Sequence, residues 1–426
     1  MSSRFRHARV NLPLHRCLVL AAITLLACGT VTEPVTPPPT PPPPLGPGPA
    51  VTLSVSPSGL SLFVGGDGLL TAQAFDSRGV STGGLFEWES ADPTIATVGE
   101  ADGRVTAISA GTTTVTAYLG SLRASALVSV IAMPAGVIAF TRQTYSGAVV
   151  RFELLLFSVP EMTLRTLPHP AQFPVIGAPA WSPDGTLLAL EVVAPNPVVT
   201  SQDELVYASD VYVLRAAAPA TSPWRALTTN GHSRSPSWSP DGARIAYLAS
   251  SPLPFGYDIY VIDAAGGEPL RLTQGDGYYG KPSWSPDGRR LAFSAWIAGN
   301  HEIYIVNADG SGLTNVTRNS AYDADPSWSP DGSRLVFVSD RILGEEGIGV
   351  FVIDVDGSNL RSLSSVAGLW SSGPVWSPDG RQIILSVAAN VAGAGGIYVM
   401  NADGSSLARL TTAPSSSWDG APAWRR

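Results

Sequence analysis

The sequence predicts an all-β chain: a small β-sandwich, then a six-bladed β-propeller closed by its C-terminal strand. Three observations carry this. The pentapeptide Trp-Ser-Pro-Asp-Gly starts at Trp181 and returns at Trp238, Trp284, Trp328 and Trp376, and a truncated copy, Ala421-Pro422-Ala423-Trp424, stands two residues before the end. The steps between these tryptophans are 57, 46, 44, 48 and 48 residues. Units of that length cannot bury a core alone and must stack on their neighbours. Upstream, from Val51 to about Ile131, apolar residues alternate with period two between turns. The composition agrees, since 43 glycines and 37 prolines beside only 14% charged residues suit short strands joined by many turns.

Residues 1–27 read as a lipoprotein signal peptide. Arg4, Arg6, Arg9 and Arg16 precede an apolar run, Cys17 to Ala27, of signal-core length and too short to span a bilayer. The run ends in Leu25-Leu26-Ala27-Cys28, which resembles the bacterial lipoprotein signal; the resemblance implies lipid attachment at Cys28. An ordinary export signal cut nearby is the alternative. Cys17 would leave with the signal, so the mature chain would hold no disulfide and depend on core burial. Acyl chains on Cys28 would anchor it to a membrane. Gly29 in place of Asp implies, by the family's habit, the outer membrane, on either its periplasmic or its surface side.

Residues 28–50 are then the lipidated cysteine and a Thr/Pro-rich linker. Pro37-Pro38-Pro39 and Pro41 to Pro44 favour extended polyproline II, a semi-rigid spacer. A peptide ligand for another domain is the rival reading. The formal charge is −8 for the whole chain, and removal of residues 1–27 leaves 22 basic against 34 acidic residues. Such a surface argues against nucleic acid as a partner, because phosphate binding needs clustered cations. Lys281 is the only lysine, which we read as the codon bias of a high-GC genome.

Residues 51–132 form the predicted sandwich. Val51, Leu53 and Val55 share one face; Leu70, Ala72 and Ala74, then Val105 and Ala107, then Val115 and Ala117 repeat the pattern. Trp88-Glu89-Ser90-Ala91-Asp92-Pro93-Thr94-Ile95-Ala96-Thr97-Val98, Gly103-Arg104-Val105-Thr106-Ala107 and Ala110-Gly111-Thr112 resemble the bacterial group 2 immunoglobulin-like domain. The resemblance implies Trp88 as the central core residue and turns at Asp92-Pro93 and Ala110-Gly111. Such domains act as spacers, and some belong to adhesins.

Residues 136–426 are the repeat region. In Ser182-Pro183-Asp184-Gly185 the proline suits the second position of a type I turn, with serine before it and glycine at the fourth. A strand such as Arg244 to Tyr247 follows, then Ile259 to Ile262, a turn at Asp263 to Gly267, and Leu270 to Thr273. Four antiparallel strands per repeat make a propeller blade. Residues 136–168 supply three strands with none before them, and Ala421 to Trp424 supplies the missing one, giving six blades and sealing two edges. The repeat resembles that of the TolB propellers of the Tol-Pal system: Pro-x-Trp-Ser-Pro-Asp-Gly, a hydrophobic strand, then Ile-Tyr-Val-Met-Asn-x-Asp-Gly. Here the domain before the propeller is immunoglobulin-like and not the α/β domain of TolB, and the chain carries a lipid signal where TolB is soluble and periplasmic.

The candidate ligand-binding face is read from repeat-equivalent positions. Four residues before the repeat proline stand His232, Tyr278, Tyr322, Trp370 and Trp418, with Val175 the exception; the next position holds Ser233, Tyr279, Asp323, Ser371 and Asp419. Pseudo-symmetry places these at the channel mouth. An aromatic ring interleaved with Asp323 and Asp419 suits a peptide or a glycan. The alternative is that these residues pack the joints between blades. The long loop Val192 to Ser209, with Asp203 and Glu204, shares that face, as do Phe255, Trp296, Arg341, Glu345 and Glu346. The Trp-Ser-Pro-Asp-Gly loops lie on the opposite face, where their aspartates fix turns.

Signals for catalysis are weak. His169, His232 and His301 fall in different blades without metal-ligand spacing, and no Gly-x-Ser-x-Gly elbow is present. Asp354 to Asn359 faintly resembles a calcium loop, but Ser365 stands where a glutamate is needed. No catalytic residue, metal or cofactor is therefore expected. The expected function is a non-catalytic, lipid-anchored envelope protein whose propeller binds another envelope protein. The alternative is a glycan-binding or polysaccharide-lyase propeller, for which His232 with Asp323 or Asp419 is the candidate group.

Overall fold

The structure is a computed structural model. It describes residues 46–426 apart from 133–135, 147–148, 160, 169–174, 195–197, 200–204, 207, 218–222, 251–255, 275–277, 298, 342–347, 365–368, 390–394, 415 and 426. Cys28 and most of the linker lie outside the described residues. All named elements are strands.

The N-terminal sandwich sets the sheet Gly59–Phe63, Leu122–Ile131, Gly111–Leu119, Glu87–Ser90 against a smaller sheet of Asp67–Leu69, Arg104–Ala107 and Ala96–Val98. The strand Thr52–Ser56 pairs with Thr71–Phe75 at one side. Alternation puts Leu70, Trp88, Val105, Val115, Val128 and Val130 into one core. Trp88 occupies its centre at the cost of a constraint on Gly103. That glycine has φ +67°, and a Cβ there would come within 2.3 Å of the Leu70 carbonyl oxygen and 2.9 Å of the Trp88 ring. Only glycine fits that turn.

From Val137 onward the strands group into antiparallel sets in chain order. The third set shows the pattern in full: Ser233–Trp238, Arg244–Ser250, Tyr257–Asp263 and Leu270–Arg271. Equivalent sets begin at Val175, Tyr278, Asp323 and Leu369. The first set is Val137–Ser146, Val149–Ser158 and Thr163–Leu167, and its inner strand is Ser417–Trp424 from the C-terminus. The fourth residue of each second strand (Phe140, Leu190, Tyr247, Phe293, Phe337 and Leu385) is buried, which places the apolar weight between neighbouring sets.

The inner strands are longer than the bare Pro-x-Trp motif suggests, and most of them bulge. Register shifts interrupt the pairing between Arg234 and Ser237, Ala324 and Ser327, and Ser372 and Val375. Ser235, Asp325, Gly373 and Ala421 take φ between +51° and +55° at this step. The next residue is proline, which has no N–H for the ladder, so the strand bends where it cannot pair.

Each Trp-Ser-Pro-Asp-Gly segment closes as the sequence anticipates. The Gly332 N–H donates to the Ser329 carbonyl at 2.9 Å, which is the i to i+3 bond of the turn. The Ser329 hydroxyl donates to Asp331 Oδ1 at 2.6 Å and accepts from the Arg334 N–H at 3.0 Å. The turns also knit neighbours together. Pro183, Pro240, Pro286 and Pro330 lie against Gly242, Gly288, Gly332 and Gly380 of the next set. The guanidiniums of Arg244, Arg290 and Arg334 sit over the next tryptophan, Trp284, Trp328 and Trp376, at 4.8–5.3 Å. In the last set Gln382 replaces that arginine, and its amide donates to the Ala132 carbonyl at 3.0 Å. Ile131 and Phe63 of the sandwich join the apolar cluster around Phe140 and Trp424. The sandwich thus meets the propeller on the side of the Trp-Ser-Pro-Asp-Gly turns.

Candidate functional site

The opposite face carries the ends of the inner strands and the hairpins between second and third strands. Strand alternation divides the two predicted positions sharply. The position four before the proline points outward, and the next points into the blade. His232, Tyr278 and Tyr322 are exposed, whereas Ser233, Tyr279, Asp323, Ser371 and Asp419 are buried. Trp418 is partly buried and lies against Gly420 and Gly395. For Trp370 the backbone is described, and its side chain lies outside the described residues, as do Asp203, Glu204, Phe255, Glu345 and Glu346.

The predicted carboxylates do not present themselves to a ligand. Asp419 is fully buried and takes a two-point ion pair from Arg142, Nε to Oδ1 at 2.6 Å and Nη2 to Oδ2 at 2.8 Å. Hydrogen bonding to Asp419 holds the Arg142 guanidinium above its ordinary pKa. Asp323, also fully buried, pairs with Arg341 Nη2 at 2.6 Å and accepts from Asn319 Nδ2 at 2.7 Å. No hydrogen bond or ion pair among the described residues links His232 to either aspartate. The physical reason is desolvation: a carboxylate at an inward strand position must be fully partnered, and these arginines and amides do that.

A second polar device recurs that the sequence reading missed. In three sets a threonine two residues beyond the outer strand accepts from a third-strand N–H and donates to the acidic residue just before that N–H. Thr228 accepts from the Val211 N–H and donates to Asp210; Thr273 does the same with Ile259 and Asp258; Thr317 with Ile303 and Glu302. In the last set glycine, Gly396, stands at the acidic position, and Thr411 donates instead to Asp419 of the closing strand at 2.7 Å. The signal was present in three repeats as an acid directly before Val-Tyr-Val, Ile-Tyr-Val or Ile-Tyr-Ile (Asp210, Asp258 and Glu302), followed 15 to 18 residues later by threonine.

What remains open to solvent is aromatic. Tyr278 faces Trp296 across the fourth set, and Trp296 faces His301 across its hairpin. The Trp296 and His301 rings meet edge-on with centroids 5.1 Å apart, and His301 meets Tyr322 of the next set at 5.0 Å. Tyr278, Trp296 and Tyr322 expose 49%, 43% and 39% of their surface, large for aromatic side chains grouped on one face. Burial holds the His301 imidazole below its ordinary pKa and pushes the Tyr322 phenol up, with Asp325 and Asp340 adding to the latter. His301 Nδ1 is buried with no hydrogen-bond partner among the described residues. Among those residues no group of three or more histidines, cysteines or carboxylates is placed to hold a metal, and no helix is long and apolar enough to cross a membrane.

Comparison with known families agrees with this architecture. Residues 225–383 match the TolB beta propeller domain, and residues 50–128 match the bacterial Ig-like domain (group 2). Among solved structures, TolB from Acinetobacter baumannii is similar with a TM-score of 0.54 at 19% identity, covering 82% of this chain and 84% of that one. A protein assigned as TolB from Agrobacterium tumefaciens gives 0.50 at 20% identity, covering 69% of this chain and 99% of that one. Hydrazine synthase from Kuenenia stuttgartiensis gives 0.54 at 16% identity, covering 68% of this chain and 46% of that one. At these identities the likeness is one of fold. No curated protein matches the chain.

Proposed function

For a chain that joins a group 2 bacterial immunoglobulin-like domain to a TolB-type β-propeller, we propose a non-catalytic scaffold of the bacterial cell envelope that binds a protein partner. The patch Tyr278–Trp296–His301–Tyr322 carries this reading. It is apolar, exposed and built across two blades. It also lies on the face opposite the one where the sandwich joins, so the incoming chain does not cover it. Interface cores are enriched in such aromatics. The buried state of Asp323 and Asp419 shifts the candidate contacts from a ring of carboxylates to this patch, with His232 at its flank. Lipidation at Cys28 and an outer-membrane location belong to the same proposal, supported by the sequence around that cysteine and by the proline-rich tract after it.

The test is a photo-reactive amino acid placed at Tyr322, with a second at Asp356 in a hairpin on the opposite face. Cross-linking in intact cells should yield a defined protein adduct from position 322 and none of the same mass from position 356. Equal adducts from both positions would sink the assignment of the face. A glycan array with an unsaturated-product assay separates the alternative. A sugar bound through Trp296 without a protein adduct, or any lyase product, would replace the scaffold reading.

A further inference from the structure

We propose that the central channel of the propeller is a carboxylate-binding site in which the Lys281 ammonium is the group that holds the ligand. The channel contains a cavity of about 180 Å³ to which all six inner strands contribute. Its waist is ringed by the repeat prolines, among them Pro236, Pro282, Pro326 and Pro374, which offer no backbone N–H. At the position before the proline the repeat has Ala178, Ser235, Lys281, Asp325, Gly373 and Ala421. Four of the six are small and uncharged, so the lysine and the aspartate are the departures from the pattern. They fall on adjacent blades and are the charged side chains that line the cavity.

The two charges are not equivalent. Asp325 is committed, because its Oδ2 accepts the Gly373 N–H at 3.0 Å across the blade joint. Lys281 is not: no hydrogen bond or ion pair of its ammonium occurs among the described residues, whose ion pairs are Arg78–Asp76, Arg142–Asp419, Arg271–Asp258 and Arg341–Asp323. A partly buried cation without a partner is unfavourable, and an anion seated beside it offsets that cost. Desolvation already depresses the lysine pKa, with Asp325 opposing. The neighbouring aspartate selects against a phosphate dianion, which it would repel, and leaves a monoanion as the fitting guest. The cavity admits a carboxylate with two or three carbons, either a free short-chain acid or the C-terminus of a peptide. The claim stands on this geometry and does not depend on the aromatic patch.

Because Lys281 is the only lysine, ¹⁵N-lysine labelling of the full-length chain gives one side-chain ammonium resonance to follow. Titration with propionate should shift it saturably and raise its pKa by about one unit, as a nearby opposite charge does. Propionamide should do neither. Lys281→Arg should retain saturable propionate binding by calorimetry and Lys281→Met should lose it, with thermal melts of both variants confirming the fold. A tripeptide with a free C-terminus, compared with its amidated form, distinguishes the source. Saturation by the free acid at lower concentration than propionate assigns a peptide terminus, and saturation by propionate alone assigns a small acid. A resonance shift that is linear in propionate or equal for propionamide, or propionate binding by calorimetry that is unchanged in Lys281→Met, together with no response to the tripeptide, would overturn the site.

Discussion

Arg142 and Asp419, 277 residues apart in the chain, form a buried two-point ion pair inside the blade that joins the two ends of the propeller. Asp419 also accepts from the Thr411 hydroxyl, and its carbonyl accepts from Ser386 at 2.6 Å, so one residue ties the first blade to the last. Removing one partner leaves a buried charge uncompensated, at a cost of about 3–5 kcal/mol. Asp419→Ala should therefore lower stability in urea titrations by about that amount. Arg142→Met with Asp419→Leu should recover part of it. A loss below about 1 kcal/mol for Asp419→Ala would show that the seam does not depend on the pair.

The turn aspartates predict acid sensitivity. Hydrogen bonds from Ser182 and from Thr186 hold Asp184 at about 2, and those from Ser329 and Ser333 hold Asp331 at about 2. Their folded pKa values lie below the ordinary value near 3.9, so their contribution is present above about pH 4 and is lost as pH falls through 2. Melting temperatures should fall across that window. Asp331→Asn, which keeps the acceptor and removes the titration, should fall less steeply; an identical slope would reject this origin.

The stacking of turns around the channel gives a separate expectation. At Gly332, φ is +70° and a Cβ would sit 3.5 Å from Pro286, an ordinary contact, so Gly332→Ala costs backbone strain and not a clash. About 1–2 kcal/mol is expected by chemical denaturation. Arg290→Ala removes the guanidinium 4.8 Å from the Trp328 ring centroid and should cost about 0.5–1 kcal/mol.

His301 should titrate low. Its ring lies between Trp296 and Tyr322, and burial disfavours the charged form. A folded pKa below the ordinary value of about 6.5 means that this residue's stabilising share is present above that pH and lost below it. Imidazole NMR should give His301 a midpoint below the ordinary value of about 6.5. Tyr322→Ala, which opens one side, should move it back up. A His301 midpoint at or above about 6.5 would contradict the packing.

The blade pattern was legible because Trp181, Trp238, Trp284, Trp328 and Trp376 each carry the same turn, and turn chemistry is local. The sandwich was legible for a similar reason: Trp88 and the alternation around it depend on near neighbours. The candidate site was legible only in half. Tyr278 and Tyr322 emerged from repeat alignment, but Asp323 and Asp419 were placed beside them in one ring. Period-two alternation, applied to the same two adjacent positions, sends them to opposite sides of the strand. The partners Arg341 and Arg142 are 18 and 277 residues away, and no local pattern announces either. His301 joins the patch through a single hairpin of one blade, so repeat alignment could not single it out.

The most direct test of the proposed binding face is quantitative affinity purification from cross-linked envelopes. It compares the wild-type chain with Tyr278→Ala/Trp296→Ala/Tyr322→Ala and with a control bearing Asp309→Ala, Asp356→Ala and Asp403→Ala on the opposite face. At least a tenfold loss of one defined partner in the aromatic variant is expected, about 1.4 kcal/mol or more, with full retention in the control. Retention of every partner by the aromatic variant, at wild-type thermal stability, would contradict the account.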